Sequence, residues 1–198
     1  MTRLLVRDLA QLVTPAGREA PLRGAALGQV ELVENAFVLC AGGRIEAVGR
    51  MRELPPIDGE VDELDGRGRS AIPGLVDCHT HACFAGDRVE EFALRAAGAT
   101  YEELHGAGGG ILSTVRATRA AGESGLREAV ERHHGWMLAH GTTTFEAKSG
   151  YGLDRETELA QLRAVAAAGG IPTWLGAHAV PPEFDSADEY LGFALRRN

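Results

Sequence analysis

The chain has 198 residues, 44% of them hydrophobic and 24% charged, a composition that can bury a core and argues against a mainly disordered state. A formal net charge of −8 without any basic stripe argues against nucleic acid or an anionic membrane surface as partner and favours a small molecule. No run of about 18 apolar residues occurs, and Asp8 comes too early for the apolar core of a secretory leader, so a cytoplasmic protein is expected. Three cysteines, Cys40, Cys78 and Cys83, fit reduced thiols better than a disulfide framework.

In chain order, residues 1–70 read as a small β layer. Short strands are predicted at Leu4–Val6, Ala36–Cys40, Arg44–Val48 and Val61–Leu64, and Gly42-Gly43 between two β-like runs is a hairpin signal. After residue 70 the pattern becomes strand, long loop, helix, strand, which argues for parallel strands with helical crossovers. The run Ala71–Asp77 reads as a short buried strand of the parallel kind. Leu126, Ala129, Val130, His133 and Met137 follow helical spacing after a cap at Ser124. Thr142–Glu146 supplies the next strand. A second helix is predicted from Arg155 to Ala168, with Asp154 as cap, Glu156 and Glu158 favouring the positive end of its dipole, and Gly169-Gly170 as stop. A third strand is expected over Thr173–His178, and a last helix from Tyr190.

The most informative feature is Cys78-His79-Thr80-His81-Ala82-Cys83. Residues i and i+2 of a strand share a face, so His79 and His81 can grip one metal ion, and they fall at the carboxyl end of a strand, where barrels of parallel strands carry their chemistry. A closed Cys/His zinc cluster is the weaker alternative, because Cys78 alternates to the opposite face from His79. Gly108–Gly110 before Ser113 lacks the Gly-Lys-Ser/Thr ending of a nucleotide loop and reads as a tight turn. His105, His133, His134 and His140 read as structural or solvent-facing. About three strand–helix units occupy the 128 residues after position 70 (198 minus 70), whereas a closed eight-unit barrel takes roughly 250. A fragment, or one half of a split enzyme, is expected.

Pro73-Gly74-Leu75-Val76-Asp77-Cys78-His79-Thr80-His81 resembles the first strand of the amidohydrolase superfamily, metal-dependent hydrolases built on a (β/α)8 barrel with an appended β-sandwich. Four further segments resemble the imidazolonepropionase family: Phe84–Arg88 with Glu91-Phe92, Gly108–Ile111 with Thr114–Arg119, Gly141–Thr144 through Lys148–Leu153, and Gly176–Glu183. The resemblance implies an α/β fold: the first strands of a (β/α)8 TIM barrel over residues 71–198, and part of the composite β-sandwich domain over residues 1–70. It implies hydrolysis of the cyclic amide of 4-imidazolone-5-propanoate to N-formimidoyl-L-glutamate, a step of histidine degradation, with one zinc or iron ion.

Within that resemblance His79 and His81 are metal ligands. Arg88 binds the substrate carboxylate, a pairing suited to a planar guanidinium; its alternative is a surface ion pair with Glu90 or Glu91. Tyr151 and His178 contact substrate; taken alone, each reads as structural. Glu146 and Lys148 bracket the second strand's end without an assigned step. The catalytic base and remaining ligands are expected beyond Asn198, with a homo-oligomer or a complementing C-terminal half as partner, and activity of this chain alone is not expected. Another amidohydrolase, acting as a formimidoyl-glutamate or guanine deaminase, and a non-enzymatic fragment are the competing readings.

Overall fold

The computed structural model describes residues 3–15, 22–100, 103 and 109–196, which fall into two compact units, residues 1–73 and 74–198. His105 and Gly108 lie outside the described residues.

The first unit is a five-stranded sheet. β1 (Arg3–Thr14) runs antiparallel to β2 (Glu31–Ala41), which hairpins into β3 (Arg44–Arg50); β4 (Val61–Asp65) and β5 (Ser70–Ala71) both run parallel to β1. Gly42 and Gly43 turn the hairpin at φ of 56° and 75°, the left-handed region open to glycine. β1 and β2 are longer than the predicted strands and change register between Val6 and Leu9, where Asp8 has φ of 54°. Leu5, Phe37 and Leu39 form one buried cluster and Leu9, Leu12 and Ala36 another.

The second unit carries a three-stranded parallel sheet, β6 (Leu75–Thr80), β7 (Thr142–Lys148) and β8 (Ile171–Thr173), in the order β6-β7-β8. Helices α1 (Val89–Ala96), α2 (Ile111–Ala139), α3 (Arg155–Ala167) and α4 (Ala187–Ala194) follow the strands. Parallel neighbours need a crossover, and α2 and α3 supply it, packing on each other and on the strands. Their core is Leu126, Val130, Ala160, Ala164 and Val165 around Phe145 and Ala147 of β7.

Several expectations change in detail. Ala71 belongs to β5 in the first unit, and the second unit's first strand starts at Leu75. That strand is exposed rather than buried, because among the described strands only β7 flanks it. α2 starts at Ile111, well before Ser124, and bends at Gly122 (φ 62°, ψ −178°), so the Leu126–Met137 periodicity marks only its second segment. α1 forms where a loop was expected. α3 matches its forecast to one residue, and the Asp154 carboxylate accepts the Thr157 N–H at 2.8 Å. β8 stops at Thr173, five residues before His178, and α4 begins earlier than Tyr190, capped by Ser186.

Phe145 is 1% exposed and a Cβ on Gly170 would strike its ring at 2.5 Å, so the site is tightly filled. Phe145→Ala leaves a cavity and lowers stability by about 3–5 kcal/mol, read from the urea midpoint of the α2 and α3 helical signal.

Candidate active site

The loops leaving the carboxyl ends of β6, β7 and β8 bring together three of the five candidate residues. β6 is locked to β7 at its end: Thr80 N–H donates to Glu146 Oε2 at 3.3 Å and its hydroxyl donates to the Glu146 carbonyl at 2.6 Å. His79 ends up exposed and His81 half-buried, with ring centroids 6.2 Å apart. The segment after His81 leaves the sheet, so its backbone groups need new partners. His133 Nδ1 donates to the Ala82 carbonyl at 2.7 Å, Gln161 Nε2 donates to the Cys83 carbonyl at 2.6 Å, and Ala85 N–H donates to Thr118 Oγ1 at 3.1 Å. His133 therefore has the structural role expected of it, and Phe84 stacks on its ring at 4.9 Å.

Tyr151 and His178 meet His81. The His81 and His178 rings stack at 5.0 Å with planes 26° apart, and Tyr151 lies 5.3 Å from each. Gly150 makes this approach possible: its φ is +105°, and a Cβ there would lie 2.9 Å from both His178 Nδ1 and the Leu175 carbonyl. Ser149, 1% exposed, joins the β7 and β8 ends by donating its N–H to Thr173 O at 2.9 Å and accepting the Leu175 N–H at 3.0 Å. His81 Nδ1 and His178 Nδ1 are buried with no hydrogen-bond partner among the described residues.

Burial lowers the His81 pKa, and His178, His79 and Lys148 lower it further, which favours the neutral ring with a lone pair free to bind. Burial raises the Tyr151 pKa against the opposing charge of Arg88, so its hydroxyl stays a donor. Glu146 sits below its usual range: burial works against its charge, but Lys148, which donates to both its oxygens at 2.7 and 2.8 Å, together with hydrogen bonds from Thr173 and the Thr80 N–H, outweighs that.

Arg88 is held by an ion pair outside the ring cluster, although its charge reaches Tyr151. It precedes α1, is 45% exposed, and its Nε donates to Glu91 Oε2 at 2.8 Å, the ion pair weighed from sequence. The other Glu91 oxygen accepts the Gly110 N–H at 2.8 Å and the Ser113 hydroxyl at 3.3 Å, tying α1 to the start of α2.

Sequence reasoning passed over Glu158, Arg119 and Gln161. Glu158 read as an acid near a helix start; it is 5% exposed and accepts backbone N–H groups from the preceding loop. Its one sequence signal was a carboxylate a few residues past Gly150-Tyr151-Gly152. A groove of about 490 Å³ beside α3 and α4, lined by Leu159, Trp174, Tyr190 and Phe193 among others, includes neither His81, Tyr151 nor His178. Among the described residues no three His, Cys, Asp or Glu side chains gather to hold a metal ion. No helix among the described residues is long and apolar enough to cross a membrane.

No protein-family model matches the chain. Among solved structures the fold is like that of atrazine chlorohydrolase from Arthrobacter aurescens complexed with zinc (22% identity, TM-score 0.56, 86% of this chain and 35% of that one). It is also like Escherichia coli guanine deaminase (18% identity, TM-score 0.54, 88% and 36%). These likenesses define an α/β fold shared with those two enzymes and reach no further than fold. At the level of sequence the chain is 56% identical to imidazolonepropionase of Rubrobacter xylanophilus over 204 aligned positions, covering 98% of this chain and 49% of that protein. It is 48% identical to imidazolonepropionase of Chloroflexus aggregans, covering 97% and 47%. The chain belongs to the imidazolonepropionase family, and it spans about half the length of the curated relatives it matches.

Burial, aided by the Glu158 charge, pushes the Cys83 thiol up to about 12, while Cys78 is exposed. Below that pKa the thiol is neutral, so at pH 8 only about one Cys83 in 10⁴ is thiolate. Iodoacetamide at pH 8 therefore labels Cys78 and spares Cys83 until the chain is unfolded, as read by peptide mass spectrometry.

Proposed function

We propose that this chain forms part of an imidazolonepropionase, a hydrolase that opens the cyclic amide C–N bond of 4-imidazolone-5-propanoate to yield N-formimidoyl-L-glutamate in histidine degradation. The observation that carries the reading is the convergence of His81, Tyr151 and His178 within 5.0–5.3 Å at the strand ends. Membership of the family supports it. On this reading β6, β7 and β8 are the first strands of a (β/α)8 barrel, the second unit is its opening part, and the first unit contributes to a β-sandwich domain. The three cysteines are free, which suits a cytoplasmic setting.

The residues fit one metal ion at two of its positions. His79 and His81 are neighbouring imidazoles, and the buried, unpartnered Nδ1 of His81 marks a nitrogen able to accept a ligand bond. Zinc or iron held there supplies Lewis acidity and an activated water at neutral pH. The described residues bring no third ligand to this point, so the remaining ligands and the base are assigned elsewhere. A complementing half-barrel or a homo-oligomer is the class of partner proposed to bring them.

The chain's own groups have definite tasks. Tyr151, protonated, donates a hydrogen bond to the ring substrate. His178 presents its unpartnered Nδ1 to the same ring from the opposite loop. Arg88 takes the propanoate carboxylate in a bidentate pair, exchanging the Glu91 contact for the substrate, an exchange that costs little because exposed ion pairs are worth about 0–1 kcal/mol.

Titration calorimetry with the stable probe imidazole-4-propanoate tests the assignment. The chain is expected to bind it, and Arg88→Ala to weaken binding by about tenfold or more, the weight of a hydrogen bond to a charged group. Binding of guanine in preference to the probe, or binding indifferent to Arg88, overturns it. Zinc binding followed by equilibrium dialysis falls in His79→Ala and in His81→Ala if the pair forms the ligand set.

A further inference from the structure

We propose that Glu158 is a positioning residue whose buried carboxylate holds the Gly150–Leu153 loop so that Tyr151 faces His81 and His178. The inference rests on the reading of Tyr151 and His178 as substrate contacts.

The loop after β7 is unusual in its backbone. Gly150 has φ of +105° and Leu153, a branched residue that is 1% exposed, has φ of 56°. Neither position lies in a ladder, and left-handed geometry at a leucine costs free energy that surrounding structure must offset. Glu158, on the first turns of α3, provides the offset. Its Oε1 accepts the N–H groups of Gly150 at 3.1 Å, Gly152 at 2.8 Å and Leu153 at 2.9 Å, and Oε2 accepts Gly150 at 3.0 Å. The carboxylate thus takes the N–H groups on both sides of Tyr151, whose side chain is directed to the rings.

The carbonyl side of the same loop is held independently. Arg119 of α2 donates from Nε to the Gly152 carbonyl at 2.7 Å, lies 3.0 Å from Asp154 Oδ2, and pairs through Nη1 with Glu183, in the loop that follows His178. α3 thus takes the loop's donors and α2 its acceptor. The fit is close on every side: a Cβ on Gly152 would lie 2.7 Å from Glu158 N, and a Cβ on Gly150 would reach His178. Gly150 links the two features directly, since it both hydrogen-bonds Glu158 and lies against His178. A carboxylate this buried, paired wholly with backbone donors rather than a cation, is costly to place and gains its return only through the loop geometry it enforces.

The test uses the intact chain with Glu158→Ala, Glu158→Asp and Glu158→Gln. Nuclear Overhauser effects between the Tyr151 ring and the imidazole protons of His81 and His178 report the positioning, amide exchange at Gly150, Gly152 and Leu153 reports the clamp, and binding of imidazole-4-propanoate reports its consequence. Glu158→Ala is expected to abolish the ring contacts, speed amide exchange and weaken probe binding about tenfold or more, since small misplacement of binding groups is costly. Glu158→Gln keeps an acceptor oxygen and restores much of each. If Glu158→Ala does not fold, Glu158→Asp, charged but one methylene short, carries the test. A folded Ala or Asp variant with unchanged ring contacts and exchange overturns the proposal, whatever its melting temperature. Wild-type chain that shows the ring contacts but binds no probe overturns the substrate reading and leaves the role of Glu158 standing.

Discussion

The constraint on which this site depends is the satisfaction of backbone polar groups where parallel strands end. Residues that leave a ladder lose their partners, and a buried N–H or C=O left alone costs about 1–3 kcal/mol. Beyond β6 and β7 those partners are side chains of α2 and α3: Thr118, Arg119 and His133 from one, Glu158 and Gln161 from the other. Each acts on a loop rather than on a ligand. Together they hold the loops that present His81 and Tyr151 at separations of a few ångström.

The electrostatic state of the site follows from the same burial. Half-buried rings lose hydration, so His81 is biased to its neutral form and Tyr151 to its protonated form. Charges that remain nearby are paired, Lys148 with Glu146 and Arg88 with Glu91. Burial is the first cause of both biases, with the charges of His178, His79 and Lys148 adding to it at His81 and that of Arg88 opposing it at Tyr151.

Legibility in the sequence varied with the range of the interaction. α3 was readable to within a residue because its signals are local: Asp154 at the cap and Gly169-Gly170 at the stop. The hairpin at Gly42-Gly43 was readable for the same reason. β8 was placed too late because Thr173–His178 has strand-like composition, yet the Tyr190 hydroxyl donates to Gly176 O at 2.5 Å and Trp174 lies over Gly176, contacts that hold this stretch as a loop. The first segment of α2 was missed because its start at Gly110 carries no side-chain cap, and α1 because it is only eight residues long and likewise lacks a side-chain cap. Of the site, the His79 and His81 pair was visible from spacing alone, and Arg88, Tyr151 and His178 from resemblance.

The sequence by itself determined the class of fold, the alternation of strands and helices after residue 70, the histidine pair at a strand's end and membership of a family, since these rest on local pattern and on identity along the chain. Only the tertiary structure decided that His81, Tyr151 and His178 form one cluster, that Arg88 is paired with Glu91, and that Glu158 is a buried anchor rather than a solvated first-turn acid. The reason is physical. Periodicity and capping act over a few residues, whereas the partner of a buried carboxylate or a stacked ring is chosen by which loops the packed helices bring within hydrogen-bonding reach.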